Sequence, residues 1–172
     1  MSDTPPLFNV LFLCTGNSAR SILAEAYLNH AYGDRFRAFS AGSHPGGTVN
    51  PYAIDVLNAA GISTEGARSK SWDEFAVPGS PRMDFIFTVC DNAAGEVCPV
   101  WPGHPTNAHW PFEDPAAFVG KPAETRLKFV EVFKQVCRRI DIFTSLPLRT
   151  IDKMALERKL KEIGRSTEGA EQ

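Results

Sequence analysis

The chain has 172 residues, 18 of them basic and 20 acidic, for a formal charge of -2. That length suits one domain spanning residues 1–172. The near balance of charge excludes an overall field that would draw the protein to nucleic acid or an anionic membrane, so any bound anion has to be held locally. No stretch approaches the roughly 20 apolar residues needed to cross a bilayer, and the start Met1-Ser2-Asp3-Thr4-Pro5-Pro6 lacks the features of an export signal. A cytoplasmic protein is expected, and its four cysteines, too few for a disulfide scaffold, are then thiols that do chemistry or fill core.

Val10-Leu11-Phe12-Leu13 is a short continuous apolar run, the mark of a strand buried on both faces, and it ends in the tight loop Cys14-Thr15-Gly16-Asn17-Ser18. Good helix formers fill Ala19 to Tyr32, and Gly33 is placed to stop that helix. A second strand is predicted at Phe36 to Ser40, followed by the turn-rich Gly42-Ser43-His44-Pro45-Gly46-Gly47. Asn50 caps and Pro51 begins a helix through Leu57, which Gly61 ends. Asp84 to Cys90 reads as a third apolar strand and Thr106 to Trp110 as a weaker fourth. Lys121-Pro122 opens a long helix in which Phe129, Phe133, Val136, Ile140 and Phe143 recur at helical spacing, and a last helix is predicted from Thr150 to Ile163. Residues 1–6 and 164–172 are expected to be flexible ends. Strands alternating with helices imply an α/β fold: an open four-stranded parallel sheet of flavodoxin-like winding, with helices on both faces. Ligands of such sheets bind beyond the carboxyl ends of the strands, where Cys14 and Cys90 both stand.

The motif that carries chemistry is Cys14-Thr15-Gly16-Asn17-Ser18-Ala19-Arg20-Ser21, set between a strand and a helix. Gly16 permits backbone geometry that other residues resist, so successive N–H groups can turn inward as a nest while the helix start adds partial positive charge. Arg20 offers a planar, always-charged fork to two oxygens at once. A thiol among these groups should lose its proton well below its reference pKa of about 8.5 and act as a nucleophile at neutral pH. Ser21 is placed to donate to that thiolate, and Asn17 to brace the loop from behind. A buried strand-end cysteine beside an arginine that caps another element is the bland alternative, and the strand–loop–helix context argues against it. No lysine follows Gly16, so this is not a nucleotide loop.

This stretch, with Ser40-Ala41-Gly42 after the second strand and Asp114-Pro115 further on, resembles the low-molecular-weight tyrosine phosphatases and the thioredoxin-coupled arsenate reductases that share their fold. The resemblance runs from about Phe8 to the region of Phe143. It implies that Asp114 protonates the departing oxygen, although Asp-Pro is also a common turn dipeptide.

A phosphatase needs a cysteine, an arginine and an acid, because water completes the reaction. Reduction of arsenate needs two electrons, which thiols supply by ending as a disulfide. Cys90 closes the third strand on the same sheet edge as Cys14. The segment Asp91-Asn92-Ala93-Ala94-Gly95-Glu96-Val97 that leads to Cys98 is small, polar and able to rearrange. Rearrangement is required, since a disulfide needs Cα atoms about 4.4 to 6.8 Å apart. The resemblance implies the order: Cys14 attacks arsenic, Cys90 attacks Cys14, and Cys98 attacks Cys90. The resulting disulfide is left for thioredoxin or another dithiol donor, with no tightly bound cofactor. Ordinary packing of both cysteines is the alternative. The stretch Pro115-Ala116-Ala117-Phe118 lacks the paired tyrosines with which eukaryotic-type phosphatases of this fold receive an aromatic substrate; Phe112 and Trp110 are the aromatics left to wall the site.

Other candidates carry less. The cysteines and histidines have no zinc spacing, so no metal is expected. Cys137 sits on the buried stripe of the long helix. His30, His44, His104 and His109 read as surface or packing residues, with His109 bordering the acid loop. Lys134, Arg138 and Arg139 read as a solvated basic face or a partner contact.

Overall fold

Strand β1, Phe8–Cys14, is the hub of the molecule because its alternate side chains are apolar on both faces: Val10, Phe12 and Cys14 enter one core, Leu11 and Leu13 another. A strand buried on both sides has to be central, and β1 pairs in parallel with β2, Phe36–Gly42, and with β3, Phe85–Thr88. Strand β4, Thr106–His109, closes the sheet in the order β2-β1-β3-β4, all parallel. This computed structural model describes residues 6–89 and 104–170.

Helix α1, Arg20–Tyr32, returns from the end of β1 and buries Ile22, Leu23, Ala24 and Leu28. Helix α2, Pro51–Ala59, begins where the sequence places it: the Asn50 side chain accepts from Tyr52 N at 2.8 Å, and Gly61 takes a positive φ of 76° just past its end. Helix α3, Pro122–Thr144, starts at Pro122 as expected, with Glu124 accepting from the Lys121 N–H at 2.9 Å. Its stripe Phe129, Val132, Phe133, Val136, Ile140 and Phe143 is buried. Among the described residues, the Leu11 and Leu13 face is covered by Trp72 and Phe75 of a 3-10 turn, Trp72–Phe75, and by Met83.

Helix α4, Lys153–Ala170, departs from expectation at both ends. It starts three residues later than Thr150 because Thr150 and Ile151 both donate to the Pro147 carbonyl in a turn, after which Asp152 Oδ1 takes the Ala155 N–H. It also continues past Ile163, where the sequence pattern places its end. Gly164 is a contact point and not a stop: a Cβ there would lie 2.7 Å from the His109 carbonyl oxygen and 3.1 Å from the Trp110 ring. Trp110 is fully buried, stacks on Phe87 with centroids 3.8 Å apart, and donates its indole N–H to Leu160 O of α4 at 3.0 Å. Replacing Gly164 by Val should therefore push α4 off β4 and destabilise the protein by about 2 kcal/mol, an overpacking penalty, as measured by urea unfolding.

Candidate active site

The carboxyl end of β1 delivers Cys14, 5% exposed, opposite Gly42 of β2. The thiol is not in a disulfide with any described residue. Beyond it the loop 15–19 is held from outside by a second stretch of chain. His44 N–H donates to Thr15 O at 2.9 Å, Gly46 N–H to Gly16 O at 3.2 Å, and Asn50 N–H to Ser18 O at 2.9 Å; Ser69 Oγ adds a second bond to Gly16 O at 3.2 Å. In a planar trans peptide the N–H of each following residue points opposite to the carbonyl. Tying these three carbonyls outward thus turns the N–H groups of Gly16, Asn17 and Ala19 toward the inner face of the loop, the arrangement an oxyanion needs.

The residue that bends the loop is Asn17, with φ of 47°, and not Gly16, to which sequence reasoning gave that role. Asparagine tolerates the left-handed region and here is pinned on both sides. Its Nδ2 donates to Ser21 Oγ at 2.8 Å and its Oδ1 accepts the Lys70 N–H at 2.8 Å, all in full burial. The brace expected of Asn17 is thus present, and Ser21, accepting from Asn17, keeps its own proton to donate. Helix α1 begins at Arg20 with no side-chain cap and no acidic residue in its first turn, which leaves its positive end to the site.

Beneath the loop lies a polar cluster that the sequence did not announce. Lys70, 7% exposed, sends Nζ to Ser40 Oγ at 3.2 Å, to Arg68 O at 3.1 Å and toward Glu25 Oε1 at 3.6 Å; Ser40 Oγ donates to the same carboxylate at 2.6 Å. Burial raises the Glu25 carboxyl above its usual range, opposed mainly by the Lys70 charge, and burial likewise lowers the Lys70 ammonium against the pull of Glu25. Neither residue belongs to a recognisable motif. They are brought together by α1, β2 and the 68–70 segment, too far apart in sequence for spacing to disclose them.

Arg20 leans over the loop from α1. Its Nη1 donates to Phe112 O at 3.1 Å and its Nη2 lies 3.5 Å from Asp114 Oδ2, so the structure brings Arg20 and Asp114 together. The other oxygen of Asp114 accepts from Ala116 N–H at 3.0 Å and caps the short 3-10 turn Pro115–Ala117. Phe112, 6% exposed, and Trp110 do not wall the site as expected; both are core residues. Arg139, expected on a solvated face, is 3% exposed, donates to Pro111 O at 2.8 Å and lies 4.3 Å over the Phe112 ring. His109 faces Thr88 Oγ1 across 2.8 Å at the ends of β3 and β4, and Cys137 is a half-buried thiol on α3 pushed up to about 12 by burial. Cys90 and Cys98 lie outside the described residues.

Residues 9–155 match the family model described as low molecular weight phosphotyrosine protein phosphatase. The chain is 36% identical over 134 residues to an arsenate reductase of Shouchella clausii, covering 78% of this chain and 93% of that one, and 34% identical with the same coverage to an arsenate reductase of Bacillus subtilis. Among solved structures it resembles a thioredoxin-dependent arsenate reductase of Corynebacterium glutamicum, with TM-score 0.55, 26% identity, and 79% of this chain matched to 63% of that one. An arsenate reductase in a phosphate-binding state matches with TM-score 0.63 and 25% identity, over 78% of this chain and 95% of that one.

Two consequences can be measured. A Cβ at Gly42 would sit 2.5 Å from Thr15 O and 2.7 Å from Cys14 O, both backbone atoms, so Gly42→Ala should weaken binding of inorganic phosphate by roughly 100-fold in calorimetry, with far-UV circular dichroism retained. Lys70→Met leaves the partly buried Glu25 carboxylate without its ammonium partner and should lower stability by about 2 kcal/mol at neutral pH. Because the loss comes from the ionised carboxylate, and burial raises the Glu25 carboxyl above its usual range, it should shrink in unfolding curves as pH is lowered from neutrality and Glu25 takes up a proton.

Proposed function

The chain belongs to the low molecular weight phosphotyrosine protein phosphatase family, and from that membership and its site we propose that it reduces arsenate to arsenite by a thiol relay. The observation that carries the reading is the backbone cradle whose Thr15, Gly16 and Ser18 carbonyls are tied outward, in front of a buried thiol and beside a guanidinium. Its curated relatives named arsenate reductase match over nearly their whole length.

The chemistry follows from the residue types. The inward N–H groups of 15–21, the α1 terminus and Arg20 take up the charge of a tetrahedral oxyanion, which also favours the Cys14 thiolate. Cys14 Sγ attacks arsenic(V) while one arsenate oxygen leaves as water, its last proton supplied by Asp114. Cys90 then attacks Cys14 Sγ. The electron pair of the sulfur–arsenic bond stays with arsenic, releasing arsenic(III) and leaving a Cys14–Cys90 disulfide. Cys98 attacks Cys90, freeing Cys14 as thiolate, and the Cys90–Cys98 disulfide accepts two electrons from thioredoxin or another dithiol donor. The thiols must begin reduced, which suits a reducing compartment such as the cytoplasm.

The acid loop supports a small inorganic substrate. Beyond Asp114 it exposes Ala116, Ala117 and Val119, the last 93% exposed, while the Phe118 ring is folded back over Gly120, so among the described residues this turn offers no aromatic slot to a bulky ester. Hydrolysis of phosphate esters is the second reading. It is favoured by the similarity at TM-score 0.61 and 25% identity to a low molecular weight protein tyrosine phosphatase of T. tengcongensis, with 78% of this chain matched to 95% of that one.

Arsenate-dependent NADPH oxidation with thioredoxin and thioredoxin reductase separates the two. Sustained oxidation is expected, lost on Cys90→Ala while hydrolysis of aryl phosphate by Cys14 persists. Multiple turnover of arsenate by Cys90→Ala would sink the relay, and aryl phosphate turnover without any arsenate-dependent oxidation would install the phosphatase.

A further inference from the structure

The segment from Trp110 to Asp114 links the end of β4 to the acid loop, and its placement depends on two guanidinium groups that approach from different helices. Arg20 of α1 donates to the Phe112 carbonyl, and Arg139 of α3 donates to the neighbouring Pro111 carbonyl and stacks on the Phe112 ring. The backbone between them is further fixed by Trp110 N–H on Thr88 O at 2.7 Å and Phe112 N–H on Val89 O at 3.2 Å. An arginine nearly removed from solvent is costly to keep unless its hydrogen bonds are met, and a surface lysine or an apolar residue would fill α3 more cheaply if packing were the only demand. What Arg139 does that neither could do is hold one carbonyl and one ring of adjacent residues with a single rigid plane.

We propose that Arg139 is a positioning residue for the oxyanion site: by fixing Pro111 and Phe112 it sets the height of the Phe112 carbonyl, which aims Arg20 and, through Arg20, Asp114. Arg139 does not touch the reacting atoms. Loss of its fork lets the Phe112 carbonyl drift, so Arg20 is less often presented to an anion, and Asp114 loses the partner that orients its second oxygen. The inference rests on the oxyanion reading of the loop but not on the fate of the electrons.

The test is binding of inorganic phosphate, read as protection of Cys14 from alkylation by iodoacetamide, together with a double-mutant cycle on aryl phosphate hydrolysis. Arg139→Met should weaken phosphate protection by about tenfold. The alkylation rate without phosphate, measured at a pH where Cys14 is fully ionised, should stay as in the parent, because the loop that surrounds Cys14 is braced independently by residues 44–50 and 69–70. Asp114→Asn should lower hydrolysis much less in the Arg139→Met background than in the parent, through the contacts that run from Arg139 by way of Phe112 and Arg20 to Asp114. If Arg139→Met does not fold, Arg139→Lys is read instead: it keeps the charge but cannot hold carbonyl and ring together, and about fivefold weaker protection is expected. Unchanged phosphate protection in the folded variant, or full additivity with Asp114→Asn, would overturn the inference. Failure of arsenate reduction alongside weakened phosphate protection would instead remove the reductase reading and leave Arg139 in its role.

Discussion

A binding site made of backbone N–H groups needs something to turn the carbonyls away, since each peptide carries both dipoles in one plane. Here that requirement is met by a second layer of chain, residues 44–50 and 69–70, which takes up the carbonyls of Thr15, Gly16 and Ser18 and the side chain of Asn17. The inward turn of the loop beside Cys14 depends on this brace. Without it the left-handed turn at Asn17 would relax, the loop would present acceptors as readily as donors, and the charge at the start of α1 would have nothing to organise.

The brace explains which parts were legible in the sequence. Cys14, Arg20 and Ser21 form a local motif: an apolar strand, a glycine-bearing turn and a helix within a single βα unit, so residue order already gives their juxtaposition. The parallel sheet was readable for the same reason, since Leu11 and Phe87 lie in runs with no polar face to expose. What holds the motif was not readable. Lys70, Glu25 and Ser40 meet through tertiary structure alone, and the bend was assigned to Gly16 on propensity when side-chain bonding had made Asn17 the better left-handed residue. Arg139 follows the same pattern: beside Arg138 it looks like half of a basic surface, and only the packing of Phe112 shows that the two arginines point to different worlds.

On the acid side, division of labour is the theme. One oxygen of Asp114 is committed to capping its own turn while the other faces Arg20. The carboxylate is thus oriented by the backbone that follows it and kept near Arg20 by the backbone that precedes it. The aromatic residues that composition offered as a substrate wall, Trp110 and Phe112, serve as the anchor of this segment in the core: Trp110 reaches α4 through its indole N–H and Phe112 reaches α3 through Arg139. Among the described residues, the turn beyond Asp114 is left with the small exposed side chains of Ala116 and Ala117.

The ties from His44, Gly46 and Asn50 to the loop are all main chain to main chain. Any amino acid except proline can make them, and proline appears at position 45, between two donors, where none of these bonds is required of it. The outer layer is therefore almost blind to side-chain identity, so mutation can rewrite much of its lettering without loosening the cradle. An architecture of this kind lets a lineage drift far in sequence while its anion chemistry stays put, and it concentrates vulnerability at the few places where a side chain or its absence matters, Gly42 above all.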